Sequence, residues 1–95
     1  MSAYIYILTN NSKSTLYIGV TSDLVKRIYA HKSELHDGFS KKYNTKNLVY
    51  YEIYESIENA ILREKQLKKW NRKWKEELIE KVNREYKDLY DEILG

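Results

Sequence analysis

The sequence predicts an α+β fold, a small three-stranded antiparallel sheet flanked by helices in the order ββαβαα. Three observations predict it. Tyr4 to Leu8 and Leu16 to Val20 are short runs rich in β-branched and aromatic residues, joined by the polar Asn10-Asn11-Ser12-Lys13-Ser14. That pattern makes a β-hairpin with a longer loop. A third run of the same kind, Leu48 to Tyr54, follows much later. Between and after these runs, apolar residues recur at helical spacing.

Alternation along the strands assigns faces. Tyr4, Tyr6 and Leu8 share one face of the first strand, and Tyr17 and Gly19 share one face of the second. Leu16, Ile18 and Val20 take the opposite face and make the better core pattern. Tyr6 and Tyr17 are therefore expected side by side, with Gly19 leaving the surface open there. Ser22 is the expected N-cap of the first helix, with Asp23 favourable at its positive end. Leu24, Ile28 and Leu35 form the apolar line of that helix, and Arg27 and His31 sit one turn apart on its flank. Residues 37–44 read as a loop.

Ser56 can cap a second helix from about Ile57 to Asn71. Ile57, Ala60, Ile61 and Leu67 define its apolar arc, and Glu64 falls inside that arc. Asn71 marks a break. Trp74, Leu78, Ile79 and Val82 then form a third helix, with Trp74 expected in the core, and Tyr86, Leu89, Tyr90 and Ile93 a short closing element. The expected organisation is one domain over residues 1–95, with a core at about 4–83 and a short C-terminal helical extension at 84–95.

A chain of 95 residues has no room for a second independent core. Its 42% hydrophobic and 33% charged content suits a small soluble globule and argues against a disordered chain. The formal charge is +3, but residues 83–95 carry a local −2, so the remaining body stands at +5. A basic body favours polyanionic partners. Cysteine is absent, which excludes disulfides, thiolate catalysis and Cys-type zinc sites. No basic, apolar leader opens the chain, and no stretch approaches the roughly 20 apolar residues of a membrane span. The expected compartment is the cytosol, with no membrane partner.

Glu64 carries the most information about function. A carboxylate aimed at a core or cleft costs free energy unless a metal ion or an arginine meets it there. With Tyr6, Tyr17 and Arg27 it makes a set suited to phosphodiester chemistry, which needs a positioned water, neutralised phosphorane charge and help for the leaving oxygen. A lone carboxylate can hold Mg²⁺, because that ion keeps several waters and takes phosphate oxygens. Arg27 can fork two donors onto a phosphate. A phenol has an ordinary pKa near ~10, so ionising one at neutral pH costs about 4 kcal/mol unless a neighbour helps.

Tyr4-Ile5-Tyr6 and, eleven residues later, Tyr17-Ile18-Gly19 resemble the signature of the GIY-YIG nuclease superfamily. Arg27 matches the arginine that follows the signature on the first helix, and Glu64, in Arg63-Glu64-Lys65, matches the metal-binding glutamate. The resemblance runs from residue 4 to about residue 83 and is to small single-domain members, little more than the nuclease module. Tyr4 stands where the first triplet usually begins with glycine. The resemblance implies a GIY-YIG endonuclease-like fold, a Mg²⁺ or Mn²⁺ cofactor held by Glu64, Tyr6 as general base, Tyr17 as its helper and Arg27 as the clamp on the phosphate. It also implies that His31 accepts the phenolic proton, as a histidine at the equivalent place does in some relatives.

Lys65, Lys68, Lys69 and Arg72 give the second helix a basic side, interleaved with Trp70 and Trp74, and Lys41 and Lys42 add a basic loop tip. Such residues engage phosphates and stack on bases, so DNA is the expected partner, with RNA not excluded and targeting proteins a further class. The expected activity is hydrolysis of DNA phosphodiester bonds, nicking with low sequence specificity, in DNA repair or processing. The alternative is a non-catalytic nucleic-acid-binding module that retains the nuclease fold.

Overall fold

The computed structural model describes residues 2–33 and 42–95. The expected α+β architecture is present. Three strands, β1 (Ala3–Thr9), β2 (Leu16–Thr21) and β3 (Asn47–Tyr54), form one antiparallel sheet in the order β2-β1-β3. Among the described residues, helices α1 (Leu24–Lys32), α2 (Ile57–Lys69), α3 (Arg72–Glu80) and the single turn α4 (Tyr90–Ile93) accompany it. Leu35, Lys41 and most of the predicted 37–44 loop lie outside the described residues.

β1 is central because its whole middle is apolar. Ile5, Tyr6, Ile7 and Leu8 are each fully buried, as a strand covered on both faces must be. The two faces build two cores. Ile5, Ile7 and Ile18 pack with Ala60 and Leu67 of α2 and Ile79 of α3. Tyr6 and Leu8 pack with Leu24 and Ile28 of α1 and with Leu48. A register shift between Ile7 and Leu8, opposite β3, lets Val49 and Tyr50 both join the α2-side core. The expectation that the tyrosine face stays open is thus corrected: α1 and the C-terminal residues cover it.

The C-terminal residues are fastened by specific bonds. Leu89 N–H donates to the Leu48 carbonyl at 2.7 Å, and Asp88 Oδ1 accepts from Leu48 N–H and Tyr90 N–H, both at 3.1 Å. Lys32 at the end of α1 pairs with Asp88 and donates to the Lys46 carbonyl. Asn83, buried, donates to Val49 and Lys87 carbonyls and accepts from Lys87 N–H. Leu89, Tyr90 and Ile93 then close the α1-side core. Of the predicted helical extension, only Tyr90–Ile93 is helical.

Local signals explain most helix ends. Ser56 accepts from Asn59 N–H as the N-cap of α2, and Asn71 ends that helix region by capping α3 through Trp74 N–H at 2.8 Å. Asp23, not Ser22, caps α1: its Oδ1 accepts from Lys26 N–H at 3.1 Å, while Thr21 Oγ1 holds the turn by accepting from Asp23 N–H. Three apolar assignments fail. Ile57 is 39% exposed, Trp74 52% and Val82 72%, because only one narrow stripe of each helix reaches the sheet.

A polar network invisible to the apolar pattern ties α2 to β3. Arg63 Nε and Nη2 bond both carboxylate oxygens of Glu52, at 2.9 and 3.0 Å. Tyr50 and Tyr54 donate their hydroxyls to the same carboxylate at 2.5 and 2.6 Å. Burial alone pushes the Glu52 carboxyl up, but the bonds from Arg63, Tyr50 and Tyr54 outweigh it and hold it below the ordinary carboxylate range. A depressed carboxyl stabilises the fold above its unfolded pKa, and that stability is lost as pH falls through the folded value. Glu52→Gln is therefore expected to lower stability by about 2 kcal/mol at neutral pH. It should also flatten the loss of stability below pH ~4.3, where free glutamate titrates. Urea unfolding across a pH series checks both; parallel curves for the two proteins would remove Glu52 from the acid response.

Candidate active site

Three of the predicted residues meet in one cluster on the α1 side of the sheet. In the β1–β2 register Tyr6 lies opposite Gly19, and Tyr17 lies opposite Leu8. Their alternation places both rings on one face. The rings approach to 6.3 Å between centroids. His31, on the last turn of α1, stacks edge-on against both, at 5.7 Å from Tyr6 and 5.2 Å from Tyr17. Tyr6 Oη and His31 Nε2 share a hydrogen bond of 3.1 Å.

Gly19 does not leave the opening that the sequence predicts. The Tyr6 ring itself fills the space: a Cβ on Gly19 would stand 2.3 Å from Tyr6 Cζ and Oη. Gly19 is not among the residues with positive φ, so glycine is needed there for room, not for conformation. Tyr6 and His31 are both wholly shielded from solvent, while Tyr17 is half-buried. Tyr17 is the phenol of the pair that meets the surface.

Arg27 lies half-buried on α1, one turn before His31. It lines a cleft of about 420 Å³ with Thr21, Ser22, Asp23, Lys26 and Ala30, at the junction of β2 and α1. Its guanidinium has no ion-pair partner among the described residues. A free fork of donors beside Lys26 suits a phosphate.

Glu64 stands apart from that cluster. α2 covers the other face of the sheet, and Glu64 lies on its buried stripe between Ala60 and Leu67, its side chain 15% exposed. Its partner is Lys68, at 3.3 Å and itself 55% exposed. α2 packs on β1 and on β2, and β2 is an edge strand.

Among the described residues no three His, Asp or Glu gather into a metal cage. One shielded carboxylate fits Mg²⁺ or Mn²⁺, which fill their shell with water and phosphate oxygens, and does not fit an ion that needs a full protein cage. An i,i+4 pair with an exposed lysine contributes only about 0.3–0.5 kcal/mol, a weak competitor for a divalent ion.

The predicted basic side divides. Lys65 and Lys69 are exposed and without ion-pair partners among the described residues, and Lys42 is exposed beside the Tyr43 ring. Lys68 is held by Glu64. Arg72 is taken up structurally, contrary to expectation: it donates to the Ser14 and Lys13 carbonyls and to Glu76, fastening α3 to the β1–β2 loop. Lys41 lies outside the described residues. Sequence reasoning missed the Glu52–Arg63 network and the Asp88 clasp. The period-2 spacing of Tyr50, Glu52 and Tyr54 was the available signal for the first; nothing local marked the second.

The three-stranded antiparallel sheet flanked by helices, with Tyr6 and Tyr17 side by side on its hairpin, is the fold of a nuclease-type domain. Residues 2–77 match the GIY-YIG catalytic domain, and the chain belongs to that family. Among curated relatives, it is 38% identical over 76 residues to UPF0213 protein CPE1444 of Clostridium perfringens, covering 80% of this chain and 81% of the relative. It is 36% identical over 77 residues to a UPF0213 protein of Syntrophus aciditrophicus, covering 80% and 87%. The solution NMR structure of UPF0213 protein BH0048 from Bacillus halodurans is similar at a TM-score of 0.59 and 28% identity, over 93% of both chains.

Proposed function

We propose that this chain is a divalent-metal-dependent endonuclease that hydrolyses DNA phosphodiester bonds one strand at a time, with low sequence specificity, in DNA repair or processing. The observation that carries the proposal is the Tyr6–His31 hydrogen bond of 3.1 Å, buried against Tyr17. A phenol near its ordinary pKa is a poor base at neutral pH, and an imidazole at its oxygen supplies a proton acceptor. Tyr17, at the surface, is the member that meets the attacking water, and the Tyr6–His31 pair receives the proton behind it. Arg27 clamps the scissile phosphate and offsets its growing charge. Glu64 would hold Mg²⁺ or Mn²⁺, which supplies charge neutralisation at the phosphate when bound. These roles require the phosphate to lie along the free edge of β2, between the α1 side and the α2 side. Lys65, Lys69 and Lys42 hold the flanking backbone without reading bases, which leaves selectivity to nucleic-acid shape. RNA carries the same scissile group and is the second substrate class.

Supercoiled plasmid incubated with Mg²⁺ or Mn²⁺ tests the proposal. The wild-type chain should yield nicked circles, and Glu64→Ala should slow the reaction by at least about 100-fold, the scale of several kcal/mol of metal stabilisation. Equal rates for the two proteins would assign the cleavage to contamination. The burial of Tyr6 and His31 and the Glu64–Lys68 pair favour a second reading, a non-catalytic nucleic-acid-binding module. Salt-dependent DNA binding with no turnover under either metal would establish it.

A further inference from the structure

The chain holds two tryptophans, and both line one groove remote from the ring cluster. The groove runs along α3 and encloses about 660 Å³, within the ~300–1,000 Å³ range of small-ligand clefts. Trp70, at the end of α2, is half-buried, and the Arg63 guanidinium covers its ring at 5.2 Å from the centroid. Trp74 meets Trp70 edge-on, with centroids 5.8 Å apart and planes at 89°, and remains 52% exposed. Trp70 is thus braced on both sides, and Trp74 presents a flat aromatic surface to solvent. An indole left half in solvent beside a second one forms an exposed aromatic surface, which costs free energy unless something covers it.

The charges around it select the occupant. Residues 63–84 carry nine Lys or Arg against four Glu, a net +5 that exceeds the +3 of the whole chain. Even with Arg63 neutralised by Glu52, the stretch keeps an excess of positive charge that favours a polyanion over a cationic ligand. Inside the groove, however, Glu77 and Glu80 stand beside Leu78 and the two indoles, and carboxylates repel phosphate. Glu80 is oriented by the Tyr86 hydroxyl at 2.8 Å. A neutral planar ring with N–H donors on its edge satisfies all of these at once: it stacks on Trp74 and donates to the carboxylates. Lys81 and Arg84, also lining the groove, can take the phosphates on either side of it.

We propose that the Trp70–Trp74 groove binds an unpaired nucleobase, so that the preferred substrate of this chain is a nucleic acid with a single-stranded element. The proposal rests on the nuclease reading above and adds the substrate class. A base inside an intact duplex is stacked on both faces and paired at its edge, so it cannot enter.

Because both tryptophans lie in the groove, their fluorescence reports its occupancy directly. A short single-stranded oligonucleotide titrated at low salt without metal should quench the emission to saturation. The matching duplex should bind, by fluorescence anisotropy of a labelled strand, without quenching. Trp74→Ala should weaken single-strand binding by about 5- to 100-fold, the scale of losing one stacked base, and Trp74→Phe should restore most of it. Deoxy- and ribo-oligonucleotides in parallel distinguish a DNA source of the base from an RNA one. Equal quenching by the duplex, oligonucleotide binding with no tryptophan response, or an unaffected Trp74→Ala would each overturn the groove while leaving nicking of plasmid as the separate test of the nuclease. Quenching by a lysine-rich peptide and not by the oligonucleotide would identify a cation site and overturn it too.

Discussion

Tyr6→Phe is expected to keep the fold and to lose about 10²- to 10⁴-fold in nicking rate, the usual contribution of a positioned acid–base group. The ring is wholly buried between Gly19, Tyr17 and His31, and phenylalanine fills the same space. Only the hydroxyl leaves, and with it the 3.1 Å bond to His31 Nε2. Removing one partner of a buried bond costs about 1–3 kcal/mol, so the thermal midpoint should fall by roughly 4–8 °C for each of those kcal/mol. Single-turnover nicking below the shifted midpoint separates the two effects. A variant that unfolds earlier yet nicks within about threefold of wild type would make Tyr6 a packing residue and shift the chemistry to Tyr17.

Gly19→Ala is expected to damage the same site without removing any reactive atom. The added methyl would stand 2.3 Å from Tyr6 Cζ and Oη and 2.8 Å from Cε2, far inside contact distance. The β1–β2 pairing holds the backbone, so the ring must swing against the residues of the α1-side core packed around it. Overpacking of this kind costs about 1–3 kcal/mol. The swing also draws Tyr6 Oη away from His31, so nicking should fall nearly as far as in Tyr6→Phe. A double-mutant cycle decides the cause: in a Tyr6→Ala background the methyl has room, and its added effect on stability should vanish. An undiminished effect there would place the strain in the backbone of β2 instead.

Much of the architecture was legible before any coordinates. The three apolar runs became the three strands, and Ser56 and Asn71 cap the helices they were expected to bound. These are local properties: a strand's alternation and a cap's side-chain oxygen act within a few residues of themselves. The family was legible for a different reason, because the motif carrying Tyr6 and Tyr17 resembles its signature, and residues 2–77 match its catalytic domain. Ser22 was mistaken for a cap because Asp23, its neighbour, offers an equally good oxygen, and the Thr21 hydroxyl decides between them. Trp74 is expected in the core on helical spacing alone, which says which residues share a side but not how wide a stripe the sheet will cover.

By itself, the chain's order of residues determined that a hairpin would carry Tyr6 and Tyr17 on one face, and that a helix would bring Arg27 and His31 after it. Only the tertiary structure decided that Tyr6 on this face is buried, because α1 covers it together with Leu89, Tyr90 and Ile93, which lie more than seventy residues further along the sequence. It also decided that α2, and Glu64 with it, packs on the side of the sheet opposite the ring cluster. Periodicity fixes the side of an element a residue occupies. Which side of the sheet that element then covers is set by the competition of whole apolar surfaces for each other, and no local pattern carries that outcome.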